Sequence, residues 1–255
     1  MRARPAGDFD YEAGGVGYGG VRRADPRISA MVAEALGDAR TVINVGAGAG
    51  SYEPPDRLVV AVEPAARMRA QRSPELAPAI DATAEALPFD DDSFDAAMAS
   101  VTVHQWPDVA RGLAELRRVS RDTVVVLTFD GTQLHRLWLG EYVPELFDAE
   151  SARYPAIDDI RSMLGGESAV TEVPIPIDCS DGFTEAFYAR PEAFLDEDVR
   201  RSQSAWAFVE PAAVERGIAL LEQELHSGRW DERFGALRSQ PQFIGALRLI
   251  VSRRM

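Results

Sequence analysis

The chain has 255 residues, 46% of them hydrophobic, enough to bury one large α/β core rather than several small ones. Its 41 acidic residues outweigh 27 basic ones, all arginine, so the net charge of −14 disfavours a phosphate backbone as partner. With no lysine, Schiff-base chemistry and a phosphate-loop lysine are both excluded, and the single cysteine, Cys179, excludes an internal disulfide and makes a poor metal site.

In chain order, the glycine-rich stretch from Tyr11 to Arg23 carries two tyrosines and two arginines. A helix is predicted from Asp25 to Gly37, with Asp25 as N-cap, Pro26 at the first helical position and Ile28, Met31, Val32, Ala35 and Leu36 on one face. Short apolar runs follow at Thr41 to Val45, Leu58 to Val62, Ala77 to Asp81, Asp95 to Ser100 and Thr123 to Phe129. Helical patterns separate several of them, most clearly Arg111 to Val119. Such strands describe a parallel sheet covered on both faces. Beyond Phe129 an aromatic-rich region contains two further strand patterns, Ala169 to Ile177 and Ala246 to Val251, with a helical pattern at Ala212 to Leu225 between them. No run is long and apolar enough to cross a membrane, and the first residues lack the apolar stretch of a secretory signal, so a cytoplasmic location is expected.

The chemistry concentrates in TVINVGAGAGS, residues 41–51, where a strand runs into glycines at every second position. Glycines there let the backbone turn sharply and let a ligand approach the main chain. Glu63 ends the next apolar run, LVVAVE, which in a parallel sheet places a carboxylate beside that loop, where it can hold both hydroxyls of a ribose. A dinucleotide fingerprint would need glycine or alanine where Ser51 stands, and a helix opening at once to meet the pyrophosphate. Only Ser51 to Arg57 separates the loop from the next strand, with Pro54 and Pro55 in the middle. Seven extended residues reach about 23 Å, enough to return along the strand only without a helix. A pyrophosphate would lose its anchor, whereas the uncharged link between adenosine and methionine in S-adenosylmethionine needs none.

The segments VINVGAGAGSYE, VVAVEPAARM, ATAEALPFDDDSFDAAMAS, VTVHQWPD and LAELRRVSRDTVVVLTF, in that order over about residues 9–130, resemble the bacterial class I S-adenosylmethionine-dependent methyltransferases of the type 11 group. The resemblance implies a Rossmann-like, seven-stranded, mostly parallel sheet with an antiparallel last strand. It places Gly46, Gly48 and Gly50 under the methionine part of the cofactor, Glu63 at the ribose, and Pro64 and Met68 at the adenine. Asn44, Ala47 and Ser100 belong to the same expected cofactor site. Many relatives carry Asp where Thr83 stands, so the adenine amino group falls to Thr83, the backbone of Ala84, Glu85 or Asp81. A segment such as residues 10–23 folds over the cofactor in similar enzymes, which makes Tyr11, Tyr18, Arg22 or Arg23 candidates for the methionine carboxylate.

His104 and Trp106 follow the strand ending at Ser100. His104 is a candidate general base or pocket wall, and Trp106 a candidate face for the sulfonium or a packing residue. Asp90, Asp91 and Asp92 read as a solvated turn, and no metal is implied. The expected organisation is one methyltransferase domain: an N-terminal lid and helix over 1–40, a cofactor-binding core over 41–130, and last strands over 131–255 with a helical substrate cap inserted at about 178–240. The expected reaction is methyl transfer from S-adenosylmethionine to a small organic acceptor, at oxygen, nitrogen or carbon. A non-catalytic S-adenosylmethionine-binding protein is the alternative.

Overall fold

The computed structural model describes residues 23–255. Tyr11, Tyr18 and Arg22, and the lid expected over them, lie outside the described residues. Helix α1, Pro26–Ala35, begins as its sequence requires: Asp25 Oδ1 accepts the Arg27 N–H at 2.9 Å, and Pro26 occupies the first turn. Asp25 Oδ2 also accepts the Ser180 N–H at 3.1 Å, tying the helix start to a segment far along the chain.

The main sheet contains β1 (Thr41–Val45), β2 (Leu58–Val62), β3 (Phe94–Ser100), β4 (Ser120–Phe129), β5 (Glu167–Glu172) and β8 (Leu247–Arg253), in the order β2-β1-β3-β4-β8-β5. β1, β2, β3 and β4 pair in parallel, while β8 runs antiparallel to both β4 and β5, as expected for the last strand. Side chains alternate between two cores. Val42, Ala96, Met98, Val125 and Leu127 join Ile28 and Val32 of α1 on one face. Ile43, Val45, Ala97, Ala99, Val124 and Val126 pack on the other, against Leu113, Leu116 and Val119 of α3 (Val109–Val119) and Ile160 and Leu164 of α5 (Ile157–Leu164). This is the period-2 pattern of a sheet covered twice.

Two strand expectations are corrected. Among the described residues the sheet has six strands, not seven, because Ala77 to Asp81 contributes only one parallel bridge, Ile80 to Val62. Ile80 donates to Ala61 O at 2.8 Å and accepts from the Glu63 N–H at 3.0 Å. The next ladder donor in that direction would be residue 78, a proline with no N–H, so pairing stops. Likewise, Ala169 to Ile177 is not one strand. Pro174 separates β5 from β6 (Ile175–Pro176), which leaves the main sheet to pair with β7 (Gln242–Phe243).

The β6–β7 ribbon brackets residues 177–241. These hold short helices α6 (Glu197–Arg201) and α8 (Arg229–Phe234), the longer α7 (Pro211–Ser227), and 3₁₀ turns at Thr184–Phe187, Pro191–Leu195 and Ser204–Phe208. Their aromatic residues are mostly core. Phe187, Tyr188, Phe194, Trp206 and Trp230 are buried in the same cluster as Trp138, Tyr142 and the α1 face of the sheet. Cys179 joins them, and burial pushes its thiol up to about 12, which keeps it inert. Among the described residues no helix is long and apolar enough to cross a membrane.

Candidate active site

The carboxyl ends of β1, β2 and β3 converge on a cavity of about 390 Å³, within the size range of small-ligand sites. The floor is the glycine loop. Gly46 and Ala47 both donate their N–H to Val62 O at 2.9 Å, bending the chain across the end of β2. Gly46 has φ +69° and Gly48 φ +51°, and a Cβ on Gly46 would collide with the Thr102 side chain. Only glycine satisfies both the dihedral and the contact there. Residues 46–57 form turns without a helix, in keeping with the expected irregular crossover.

Glu63 stands at the tip of β2, 8% exposed. Its Oε2 accepts the Gly48 N–H and its Oε1 the Ala65 N–H, each at 2.9 Å, so the carboxylate is held in place with lone pairs left over toward the cavity it lines. Burial raises its pKa above the ordinary carboxylate range, and the Ala65 and Gly48 N–H bonds work against that rise. Asn44 is buried at the end of β1. Its Nδ2 donates to Glu53 Oε1 at 3.0 Å, which fixes the amide so that Oδ1 is the free end, and that atom has no hydrogen-bond partner. Glu53 in turn takes both guanidinium nitrogens of Arg72, at 3.0 and 2.9 Å, and the two side chains are 3% and 4% exposed. Arg72 also donates to Ala77 O, joining the loop after β1 to the chain after α2 (Ala66–Ala70).

Of the residues singled out from sequence, the cavity brings together Asn44, Gly46, Ala47, Gly48, Glu63, Pro64, Met68, Thr83, Ala84, Glu85 and Ser100. Gly50 has φ +101° and faces Leu76 and Arg72; it is not among the residues that line the cavity. Asp81 is turned outward to pair with Arg69 at 3.0 Å, leaving Thr83, Ala84 and Glu85 as the candidates at the adenine end. Arg23 is exposed and away from the cavity. Trp106 both lines the cavity and packs, its ring filling the space a Cβ at Gly112 would need. Asp91 and Asp92 pair with Arg118 and Arg254.

Sequence reading missed Val101, Thr102, Gln105 and the Glu53–Arg72 pair. Val101 has φ +53°, a left-handed conformation that a β-branched residue adopts only under strain. It turns the chain from β3 into the 3₁₀ turn Val103–Gln105. There, successive side chains point to different places. Gln105 lines the cofactor-sized cavity, whereas His104 lines a second, smaller recess of about 30 Å³ with Phe129, Glu150, Tyr154, Phe183, Glu185 and Gln203. Val101 lines both. His104 is 4% exposed; its Nε2 lies 2.6 Å from Gln105 Nε2, and its ring centroid lies 4.4 Å from that of Tyr154.

Glu185 is fully buried in that recess wall, and its carboxyl oxygens accept the Ala246 N–H at 2.8 and 3.0 Å. Burial pushes its pKa up to about 8; the charge of Glu150 adds to this, while the Ala246 bond, Arg248 and Arg136 oppose it. The folded state therefore favours the protonated acid. Its contribution to stability is full below the ordinary value of 4.5, declines above it and is lost as pH passes about 8. Glu185→Gln is expected to flatten a decline on the order of a few kcal/mol between pH 5 and 8, measured by urea denaturation at several pH values. A wild-type and variant difference that is constant with pH would contradict this.

The arrangement fits S-adenosylmethionine. Asn44 Oδ1 offers a buried acceptor for the ammonium group of the methionine part, and Glu63 offers carboxylate lone pairs for a diol. The glycine loop closes the floor without a helix for a pyrophosphate. Residues 43–127 match a family profile described as a methyltransferase domain. A solved structure from Anabaena variabilis, assigned as a methyltransferase from an antibiotic biosynthesis pathway, is 28% identical; the match covers 91% of this chain and 98% of that one with a TM-score of 0.84. A methyltransferase of Thermotoga maritima (18% identity, 89% and 88% covered, TM-score 0.52) shares the fold. So does the geranyl diphosphate C-methyltransferase of Streptomyces coelicolor, solved with S-adenosyl-L-homocysteine (12% identity, 89% and 78% covered, TM-score 0.52). No curated protein sequence matches the chain significantly. Residues 43–127 carry a methyltransferase domain of the class I, S-adenosylmethionine-dependent kind, and the chain is an enzyme that takes S-adenosylmethionine as its cofactor.

Proposed function

We propose that the enzyme methylates a small organic acceptor held between the carboxyl edge of the sheet and residues 177–241, which serve as a substrate cap within a single methyltransferase domain. The observation that carries this reading is the recess at His104, which shares Val101 as a lining residue with the cofactor-sized cavity, while the neighbouring Gln105 lines that cavity. The likeness to the Anabaena protein of an antibiotic pathway supports an organic acceptor of modest size. The cofactor supplies an electrophilic methyl group. The chain's own residues position it: Glu63 at the ribose, Asn44 at the methionine ammonium, Met68 and Thr83 to Glu85 around the adenine. His104 takes the proton that the acceptor atom sheds, and positioning does most of the rest.

The experiment is a metabolite-library screen for acceptor-dependent conversion of S-adenosylmethionine to S-adenosylhomocysteine. With the acceptor in hand, His104→Ala should lower the chemical step by about 10²- to 10⁴-fold and remove the pH dependence that a general base imposes on it. A wild-type rate at every pH would take His104 out of the reaction.

A further inference from the structure

The recess beside His104 contains a hydrogen-bond donor whose direction is fixed and whose partner is missing. Gln203, in the segment between β6 and β7, is 5% exposed. Its Oε1 accepts the Thr184 hydroxyl at 2.7 Å and the Trp206 indole N–H at 3.1 Å. An indole nitrogen can only donate, so the amide cannot be flipped; the oxygen faces Trp206, and Nε2 is left over. Nε2 is buried and has no hydrogen-bond partner, while Gln203 lines the recess. Leaving such a donor unsatisfied is costly, and this one differs from a core orphan in lining a recess.

The rest of the lining narrows the partner. Val101, Phe129, Leu134 and Phe183 supply apolar wall beside the polar His104, Tyr154, Thr184 and Ser204, and about 30 Å³ admits one small functional group rather than a whole molecule. Glu185 sits in the same wall, and burial keeps it protonated near neutral pH, which makes it a second donor. Glu150, also in the lining, disfavours an anion. Two donors in the lining of so small a space suit an oxygen with two lone pairs and no charge.

We propose that this recess is the acceptor-reading subsite, and that Gln203 Nε2 donates to an uncharged carbonyl or hydroxyl oxygen of the acceptor. Thr184 and Trp206 are positioning residues for that amide. The inference rests on reading the neighbouring cavity as the cofactor site, because that reading places the acceptor here.

The test follows the side-chain amide resonances of Gln203 by nuclear magnetic resonance in the full chain saturated with S-adenosylhomocysteine, using cyclohexanone, cyclohexanol and methylcyclohexane as probes. The ketone and the alcohol should shift the Gln203 NH₂ signals saturably, and the hydrocarbon should not. Gln203→Met, checked for folding by the Trp138 indole signal, whose partner is the Tyr188 carbonyl, should weaken ketone binding at least about tenfold. Unmoved Gln203 signals overturn the proposal. So do equal shifts with methylcyclohexane, or a Gln203 NH₂ group in contact with a structural water only. The wild-type titration decides the matter even if the variant unfolds. Should S-adenosylhomocysteine fail to bind, the cofactor reading falls, while the same titration on the free protein still judges the recess.

Discussion

Replacing Arg72 by methionine is expected to cost about 3 to 5 kcal/mol of folding stability, because it leaves the Glu53 carboxylate buried without its cation. For a chain of this size that is a fall in Tm of roughly 6 to 20 °C. Two further bonds go with the guanidinium, both to Ala77 O, so the chain between α2 and Ile80 loosens next to Gly50 and Leu76. The loss also reaches the cofactor. Glu53 sets the orientation of the Asn44 amide, and a Glu53 freed from Arg72 can take a solvated position and release it. Cofactor affinity should therefore fall along with stability. A Tm within about 2 °C of wild type would show that the pair contributes little.

Glu63→Ala is expected to weaken S-adenosylhomocysteine binding by roughly 10- to 150-fold, the equivalent of about 1.5 to 3 kcal/mol of charge-assisted hydrogen bonding to a ribose diol. The Gly48 and Ala65 N–H groups lose their acceptor in the same variant. Glu63→Gln separates the two effects: its single oxygen can keep one backbone bond, but it offers the diol no charge. The variant with glutamine should bind between wild type and alanine. Equal affinity in all three proteins, measured by calorimetry, would remove Glu63 from the ribose.

Local signals made half of this architecture legible. The run from β1 through the glycine loop to Glu63 is specified by residues adjacent in the chain: an apolar strand, glycines where φ is positive, and an acid at the next strand end. Helix α1 is likewise announced by Asp25 and Pro26. The errors come from prolines within apolar runs. Pro78 holds the Ala77 to Asp81 stretch to one bridge, and Pro174 diverts the chain from β5 into a separate ribbon. Glycine alternation, for its part, does not say which glycine faces a ligand; Gly50 faces Leu76.

What sequence could not show depends on distant segments meeting. Glu53 and Arg72 are 19 residues apart with no spacing rule to connect them. The strain at Val101 is imposed by packing, and the turn after it sends His104 and Gln105, neighbours in sequence, to two different cavities. The recess itself gathers residues from the turn after β3, the end of β4, the stretch 134–154 and the segment inside the β6–β7 ribbon. Aromatic content pointed to that segment as an acceptor-binding region, yet most of its rings are core, and its polar side chains, Glu185 and Gln203, line the recess.

Calorimetric titration of the full chain with S-adenosylhomocysteine and, separately, with NAD tests the central claim most directly, because both ligands carry an adenosine ribose and only NAD needs a pyrophosphate anchor. Saturable one-to-one binding of S-adenosylhomocysteine, weakened in Glu63→Ala, with no heat from NAD, is the predicted result. Binding of NAD in preference to S-adenosylhomocysteine would contradict it.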